Sequence, residues 1–206
     1  MGLNTGGMGA VSPVPFASKE FLQKVENKIV KPTIDGLKKD GIKYTGFLFI
    51  GLMNDDGEPF VIEYNVRMGD PETQAVLARM DGDFVEFLLA MANQELDSYS
   101  MQISSKTATT VVLVAGGYPE AYEKGNTIEG IEKMKNSEHS LLFHAGTKIN
   151  HKGRTVTNGG RVLSVTGLGG SLQEALDHAY DSDSQLCWDN VYYRKDIGQD
   201  VLKYKK

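Results

Sequence analysis

A single cysteine and a single tryptophan stand among the 206 residues of this chain. With Cys187 alone there can be no internal disulfide framework, which suits a reducing, cytoplasmic compartment. Its neighbour is Trp188 and no histidine lies close to it in sequence, so it reads as a packing residue rather than a nucleophile. Long apolar runs are also missing. The longest stretches, such as 84–92, are too short to span a bilayer, and the N-terminus lacks the basic-then-apolar order of a signal peptide. There is no excess of positive charge: the formal net charge of −5 argues against a general nucleic-acid or membrane surface, although a local basic pocket could still take phosphate. No Walker or Rossmann phosphate loop, internal repeat or low-complexity segment is found. What remains is globular composition, 40% hydrophobic and 24% charged. The length suffices for one large or two small domains.

Pattern divides the chain at a polar, serine-rich stretch, 95–106. Before it, helix and sheet mix. Ser18 is placed to cap a helix running to about Lys39, with Phe21, Leu22, Val25, Ile29, Ile34 and Leu37 roughly on one face. Pro32 is expected to kink or divide it, and Asp40-Gly41 to end it. A hairpin follows: an apolar run 44–53, the turn cluster Asn54-Asp55-Asp56-Gly57, and a second run 60–67. Helices are expected at about 71–80 and 83–93. The second half reads as β-rich. Residues 107–115 form a nearly continuous β-branched run, further strands are expected at 143–149, 154–158 and 161–166, and one helix at 171–180.

The densest information lies in Glu63-Tyr64-Asn65-Val66-Arg67-Met68-Gly69-Asp70 and the Pro71-Glu72-Thr73-Gln74 that follows. On a strand, alternate side chains share a face. Val61, Glu63, Asn65 and Arg67 then line one side, and Phe60, Ile62, Tyr64 and Val66 line the other, which is expected to be core. A row of polar groups on an otherwise buried strand needs partners. Glu63 and Asn65 supply hard oxygen donors suited to Mg²⁺ held jointly with nucleotide phosphates. Arg67 supplies a planar fork for phosphate oxygens. Asp70 is a natural N-cap, Pro71 suits a first helical position, and Glu72 adds negative charge to the first turn. An Arg67–Glu63 ion pair on a solvated sheet face is the plainer alternative. The glycine-rich segment 4–9 can cradle anions with its backbone N–H groups or can be a simple turn. Gly159-Gly160-Arg161 can approach a ligand or can be a tight hairpin followed by a surface arginine. His144 reads as structural.

Several segments in one order make the chain resemble the phosphoribosylamine–glycine ligase (glycinamide ribonucleotide synthetase) family of ATP-grasp enzymes, in its C-terminal half. They are Asn4-Thr5-Gly6-Gly7-Met8-Gly9-Ala10 with Ser12-Pro13; Tyr44-Thr45-Gly46; Val61 to Gln74; Gly117-Tyr118-Pro119-Glu120 with Lys124-Gly125; Phe143-His144-Ala145-Gly146-Thr147; Asn158-Gly159-Gly160-Arg161-Val162-Leu163; and Tyr193-Arg194-Lys195-Asp196-Ile197-Gly198. Leu3 stands where many members have proline.

The resemblance implies an α+β fold: the C-terminal lobe of an ATP-grasp domain, an antiparallel sheet with helices, over 1–103, then a small β-rich, barrel-like C-terminal domain over 104–206. It implies ATP-driven joining of glycine to 5-phosphoribosylamine, giving glycinamide ribonucleotide, ADP and phosphate through glycyl phosphate, in purine synthesis. The implied cofactors are ATP with Mg²⁺ or Mn²⁺. The implied partner is an N-terminal half of the same polypeptide, with Met1 an added start and the isolated chain inactive. Glu63 and Asn65 would hold metal, Arg67 would act on the transferring phosphate, and Asn4, Thr5, Gly6, Gly7, Asp70, Pro71 and Glu72 would contact substrate or phosphate. Asp70 and Glu72 would orient Arg67 or the substrate amine. Another ATP-grasp carboxylate–amine ligase, or a non-catalytic module derived from one, are the competing readings.

Overall fold

A computed structural model describes residues 7–204 (for 135 and 136, the backbone alone). In chain order the elements are β1 (Gly9–Ser12), α1 (Lys19–Val25), α2 (Lys31–Lys39), β2 (Phe49–Asp55), β3 (Glu58–Asn65), α3 (Glu72–Leu77), β4 (Met80–Asp81), α4 (Phe84–Ala92), β5 (Gln102–Ile103), β6 (Thr107–Val114), β7 (Ser140–His144), β8 (Thr147–Ile149), β9 (Thr155–Thr157), β10 (Arg161–Gly169) and α5 (Leu172–Asp183). They form two compact units. The first, the sheet unit, gathers the described residues through Pro13, Asp70–Arg79, and those from Ser104 on. The second, the hairpin unit, holds Val14–Gly69 and Met80–Ile103. The spatial division thus crosses the linear one at residue 103, because β1 and α3 pack with β6.

The sheet unit is built on an antiparallel sheet of order β1-β6-β10-β7. Its central strands are continuous apolar and β-branched runs, as a strand covered on both faces requires. Val111, Leu113, Val162, Leu163 and Val165 are fully buried. Helix α5 lies on β6 and β10 and buries Ala175, Leu176 and Ala179. Ser171 caps it, its Oγ accepting from the Glu174 N–H at 3.2 Å. Arg79 fastens the neighbouring segments. Its guanidinium donates to Ser12 Oγ at 2.8 Å, Lys106 O at 2.8 Å and Ser104 O at 3.1 Å. The sheet does not close: β1 and β7 are its edges, and β8–β9 is a separate two-stranded ladder. The barrel-like form expected for this half is corrected to an open sheet, because four strands cannot wrap onto themselves.

The hairpin unit starts as expected, with Ser18 Oγ accepting from the Phe21 N–H at 3.2 Å. Between α1 and α2 the helix widens to a π-turn over Glu26–Val30, where the Lys31 N–H reaches Glu26 O. Pro32 has no N–H to give and its ring crowds the preceding turn, and the wider turn absorbs both defects. Asp83 caps α4 through Oδ1, which accepts from Val85 N–H at 2.8 Å and Glu86 N–H at 3.0 Å. Strands β4 and β5 pair across a stretch expected to be plain linker.

One expectation about this unit fails. Phe60, Ile62, Tyr64 and Val66 are not core; Ile62 is 62% and Val66 73% exposed. Strands β2 and β3 pair only with each other, so the described residues put no further strand beside them. The Tyr64 hydroxyl meets Thr33 Oγ1 at 3.0 Å without burying the ring. No helix among the described residues is long and apolar enough to cross a membrane.

Candidate functional site

Strand β3 carries the first group of site residues, in the hairpin unit. Glu63 and Asn65 project to the same side, and Asn65 Nδ2 donates to Glu63 Oε1 at 3.0 Å. Gly51 faces Glu63 on β2; a Cβ there would lie 3.0 Å from Glu63 Cγ, so glycine leaves the carboxylate room. A bulge at this point puts Ile62 out of register, since Gly51 pairs with Glu63 while Leu52 pairs with Val61. Strict alternation along 61–67 is therefore lost. The strand ends at Asn65, opposite Phe49 where β2 begins. Arg67 lies beyond the ladder, exposed, with Nη1 donating to Met68 O at 2.8 Å. Its direction is set by the bend after β3, not by strand pleating; Glu63 accepts from Asn65 and Arg67 donates to the Met68 carbonyl, so the two do not form the ion pair of the plainer alternative.

A carboxylate and a carboxamide within hydrogen-bond distance form a hard-oxygen pair that could hold a divalent cation. Among the described residues no three acidic, histidine or cysteine side chains gather to do so without help.

The second group lies in the sheet unit. Asp70 is not the cap of α3: Pro71 holds that position and no side chain caps the helix. The Asp70 carboxylate is instead gripped by Arg161, Nη1 to Oδ1 at 2.8 Å and Nη2 to Oδ2 at 2.6 Å. Arg161 Nη1 also donates to Gly7 O at 3.2 Å. Glu72 opens α3, half-buried, and Pro71 is buried. Asn4, Thr5 and Gly6 lie outside the described residues. The segment after them is not a loose loop: Met8 is buried against Val112 and Val114, and β1 begins at Gly9. His144 Nδ1 lies 3.0 Å from Thr147 Oγ1 on the surface, a local structural contact.

Sequence reasoning missed the Asp70–Arg161 pair, which spans 91 residues. The signal was present in Gly159-Gly160-Arg161, but a spacing pattern cannot reach so far. The motifs around it converge by backbone bonds: Ala115 N–H to Gly160 O at 2.8 Å, Gly146 N–H to Arg161 O at 2.9 Å, and Asn158 N–H to Gly146 O at 2.7 Å.

With this geometry stands a likeness of fold to solved structures. The biotin carboxylase domain of Hydrogenobacter thermophilus 2-oxoglutarate carboxylase, solved with MgADP, superposes with a TM-score of 0.65 over 97% of this chain and 42% of its own, at 17% identity. At that identity the likeness is one of fold alone. Two family models then match along the chain: the ATP-grasp (A) domain of phosphoribosylglycinamide synthetase at residues 1–73 and the C domain of the same enzyme at residues 108–200. The chain belongs to the phosphoribosylglycinamide synthetase family. A phosphoribosylamine–glycine ligase of Vibrio parahaemolyticus is 46% identical over 96% of this chain and 46% of its own length. A bifunctional purine biosynthetic protein of Pichia angusta is 47% identical over 99% of this chain and 26% of its own. The crystal structure of phosphoribosylamine–glycine ligase from Thermotoga maritima matches with a TM-score of 0.77 at 37% identity, covering 96% of this chain and 48% of that one. The chain spans about half the length of the ligases it matches.

Proposed function

We propose that this chain serves an ATP-dependent ligase that joins glycine to 5-phosphoribosylamine, giving glycinamide ribonucleotide, ADP and phosphate in purine synthesis, in the cytoplasm. The observation that carries the reading is the Glu63–Asn65 pair at 3.0 Å, with Arg67 two residues on. Residues 1–103 are read as part of the ATP-grasp domain and 104–206 as the C-terminal domain. Glu63 and Asn65 would hold Mg²⁺, or Mn²⁺, with ATP. One carboxylate and one neutral carboxamide leave the ion enough charge to bind phosphate. Bound there, the cation would offset charge on the transferring phosphoryl group.

The chain's own part is to orient and to neutralise. Arg67, exposed beyond β3, offers its fork to the phosphoryl group as glycine's carboxylate attacks. The ribosyl amine then attacks the carbonyl carbon of the acyl phosphate, forming the amide as inorganic phosphate leaves and the amine loses a proton, so the enzyme needs no covalent nucleophile. Asn4, Thr5, Gly6 and Gly7, with Asp70, Pro71 and Glu72, would contact substrate or phosphate.

The test is a chimera in which this chain replaces the segment of the Thermotoga maritima ligase with which it aligns. ADP release that needs both glycine and phosphoribosylamine is expected. In that chimera Glu63→Gln should raise the Mg²⁺ concentration needed for half-maximal rate, with thermal stability unchanged. Turnover with a different acid or amine would make it another ATP-grasp ligase. A folded chimera that releases no ADP would make the chain a non-catalytic module.

A further inference from the structure

A bidentate polar contact in the sheet unit that joins distant segments involves a residue with no assigned role. Arg161 binds both oxygens of Asp70, at 2.8 and 2.6 Å, and the Gly7 carbonyl at 3.2 Å. Its side chain is 30% exposed and that of Asp70 53%, so the pair sits at the surface with the carboxylate on the outer side. A bidentate guanidinium–carboxylate pair fixes both groups in a plane, which a single charged contact does not.

The fold is arranged to deliver this arginine. Strand β10 enters the sheet through a bulge: Arg161 pairs with Val114 and Leu163 with Leu113, which leaves Val162 as the extra residue. Val162 and Leu163 both join the same buried cluster, as a bulge allows and a regular strand does not. Bulges of this kind re-aim a side chain. The receiving end is equally tight. Gly7 has φ +82°, and a Cβ there would stand 3.1 Å from Arg161 Nη1. Any other residue would strain the backbone and press on the guanidinium.

We infer that Arg161 is a positioning residue. It locks the Asp70 carboxylate and the Gly7 backbone into one arrangement, and so turns Asp70 into a fixed hydrogen-bond acceptor for an amine or hydroxyl donor of the substrate. Each carboxylate oxygen uses one lone pair on Arg161 and keeps another. The bearing on catalysis rests on the ligase reading above; the locking does not.

Two measurements separate these. The first uses the 206-residue chain and hydrogen exchange. Arg161→Lys keeps the charge and loses the fork. It should speed exchange of the backbone amides at 8–12 and 72–75 at least ten-fold, with the melting temperature of the sheet unit within two degrees. Gly7→Ala should do the same through its crowding of the guanidinium. Unchanged exchange at those amides in Arg161→Lys overturns the inference, and so does a uniform rise across the sheet unit, which would mark a purely structural residue.

The second uses the chimera. Arg161→Lys should raise the KM for the amine substrate at least five-fold while the KM for ATP stays within two-fold. Asp70→Asn should match it, and the double variant should be no worse than the weaker single one, since the two act as a unit. Constants all within two-fold of the parent, or a loss confined to ATP, overturn the catalytic role. A chimera inactive before any substitution refutes the ligase reading instead, and leaves the exchange result to decide on the locking.

Discussion

The two units differ in how they use apolar residues. Among the described residues every buried hydrophobic residue but Ile29 belongs to the sheet unit. The hairpin unit, by contrast, leaves Met53, Phe60, Ile62, Val66, Val85 and Leu89 more than half exposed. One unit therefore has a core and carries Asp70 and Arg161 on it. The other has little core and carries Glu63, Asn65 and Arg67. Glu63, Asn65 and Arg67, the residues proposed to hold metal and phosphate, sit on elements whose own packing is incomplete, and local stability should follow packing. The hairpin unit should exchange its amides faster than the sheet unit, and equal protection in both would break the comparison.

The largest contrast is steric. A Cβ on Gly167 would stand 2.1 Å from Ala175 O and 2.5 Å from Ala179 N, so β10 and α5 touch with no room between them. Gly167→Val should cost the sheet unit about 3 kcal/mol, by overpacking. Urea unfolding followed by the fluorescence of Trp188, the single tryptophan and part of the sheet-unit core, measures it. Val66→Ala, at the most exposed large apolar residue of the hairpin unit, should change stability by less than about 0.5 kcal/mol.

Next comes pH. Asp183 is fully buried at the end of α5, and neither carboxylate oxygen has a hydrogen-bond partner. Burial pushes its carboxyl up to about 9. From about pH 4 to about 9 the folded state keeps a proton that the unfolded chain has released, so stability falls as pH rises through that window. Asp183→Asn should flatten the fall seen by Trp188, and a slope equal to the parent's would refute this account.

Helix caps test whether the units respond alike. Ser171→Ala on α5 and Ser18→Ala on α1 each remove one bond at 3.2 Å. Each should cost about 1 kcal/mol. The first should appear in the Trp188 transition and the second only as faster exchange at residues 19–25.

The smallest effect has the opposite pH sign. Lys24 and Lys28 hydrogen-bond Glu58 and hold its carboxyl down at about 2. A depressed carboxyl adds stability above its ordinary range, lost as pH falls through about 4.5 towards 2. Glu58 is exposed, so salt should weaken the effect. Amide protection factors in the hairpin unit should fall on acidification, and Glu58→Gln should remove that fall.

Local chemistry was legible wherever a signal and its response lie within one or two turns. Ser18 caps α1 as expected because its hydroxyl reaches an N–H three residues on; Asp83 and Ser171, not singled out as caps from the sequence, act over the same short range. The run 107–115 became β6 because β-branched residues fit a strand buried on both faces. Glu63 and Asn65 meet because side chains two apart on a strand share a face. Arg67 did not follow, since alternation needs a ladder and the partner strand starts opposite Asn65. Asp70 looked like a cap because its nearest donors in sequence are helical N–H groups, yet a guanidinium 91 residues away holds it.

The sequence by itself determined the family, the Ser18 cap, the main strands and the shared face of Glu63 and Asn65, since each depends on order and spacing along the chain. Only the tertiary structure decided that β1 joins the sheet beside β6, that β10 bulges to aim Arg161, and that Phe60, Ile62, Tyr64 and Val66 lie open. Those outcomes depend on which distant segments arrive to pair, to bind or to cover, and periodicity carries no information about a partner that lies far along the chain.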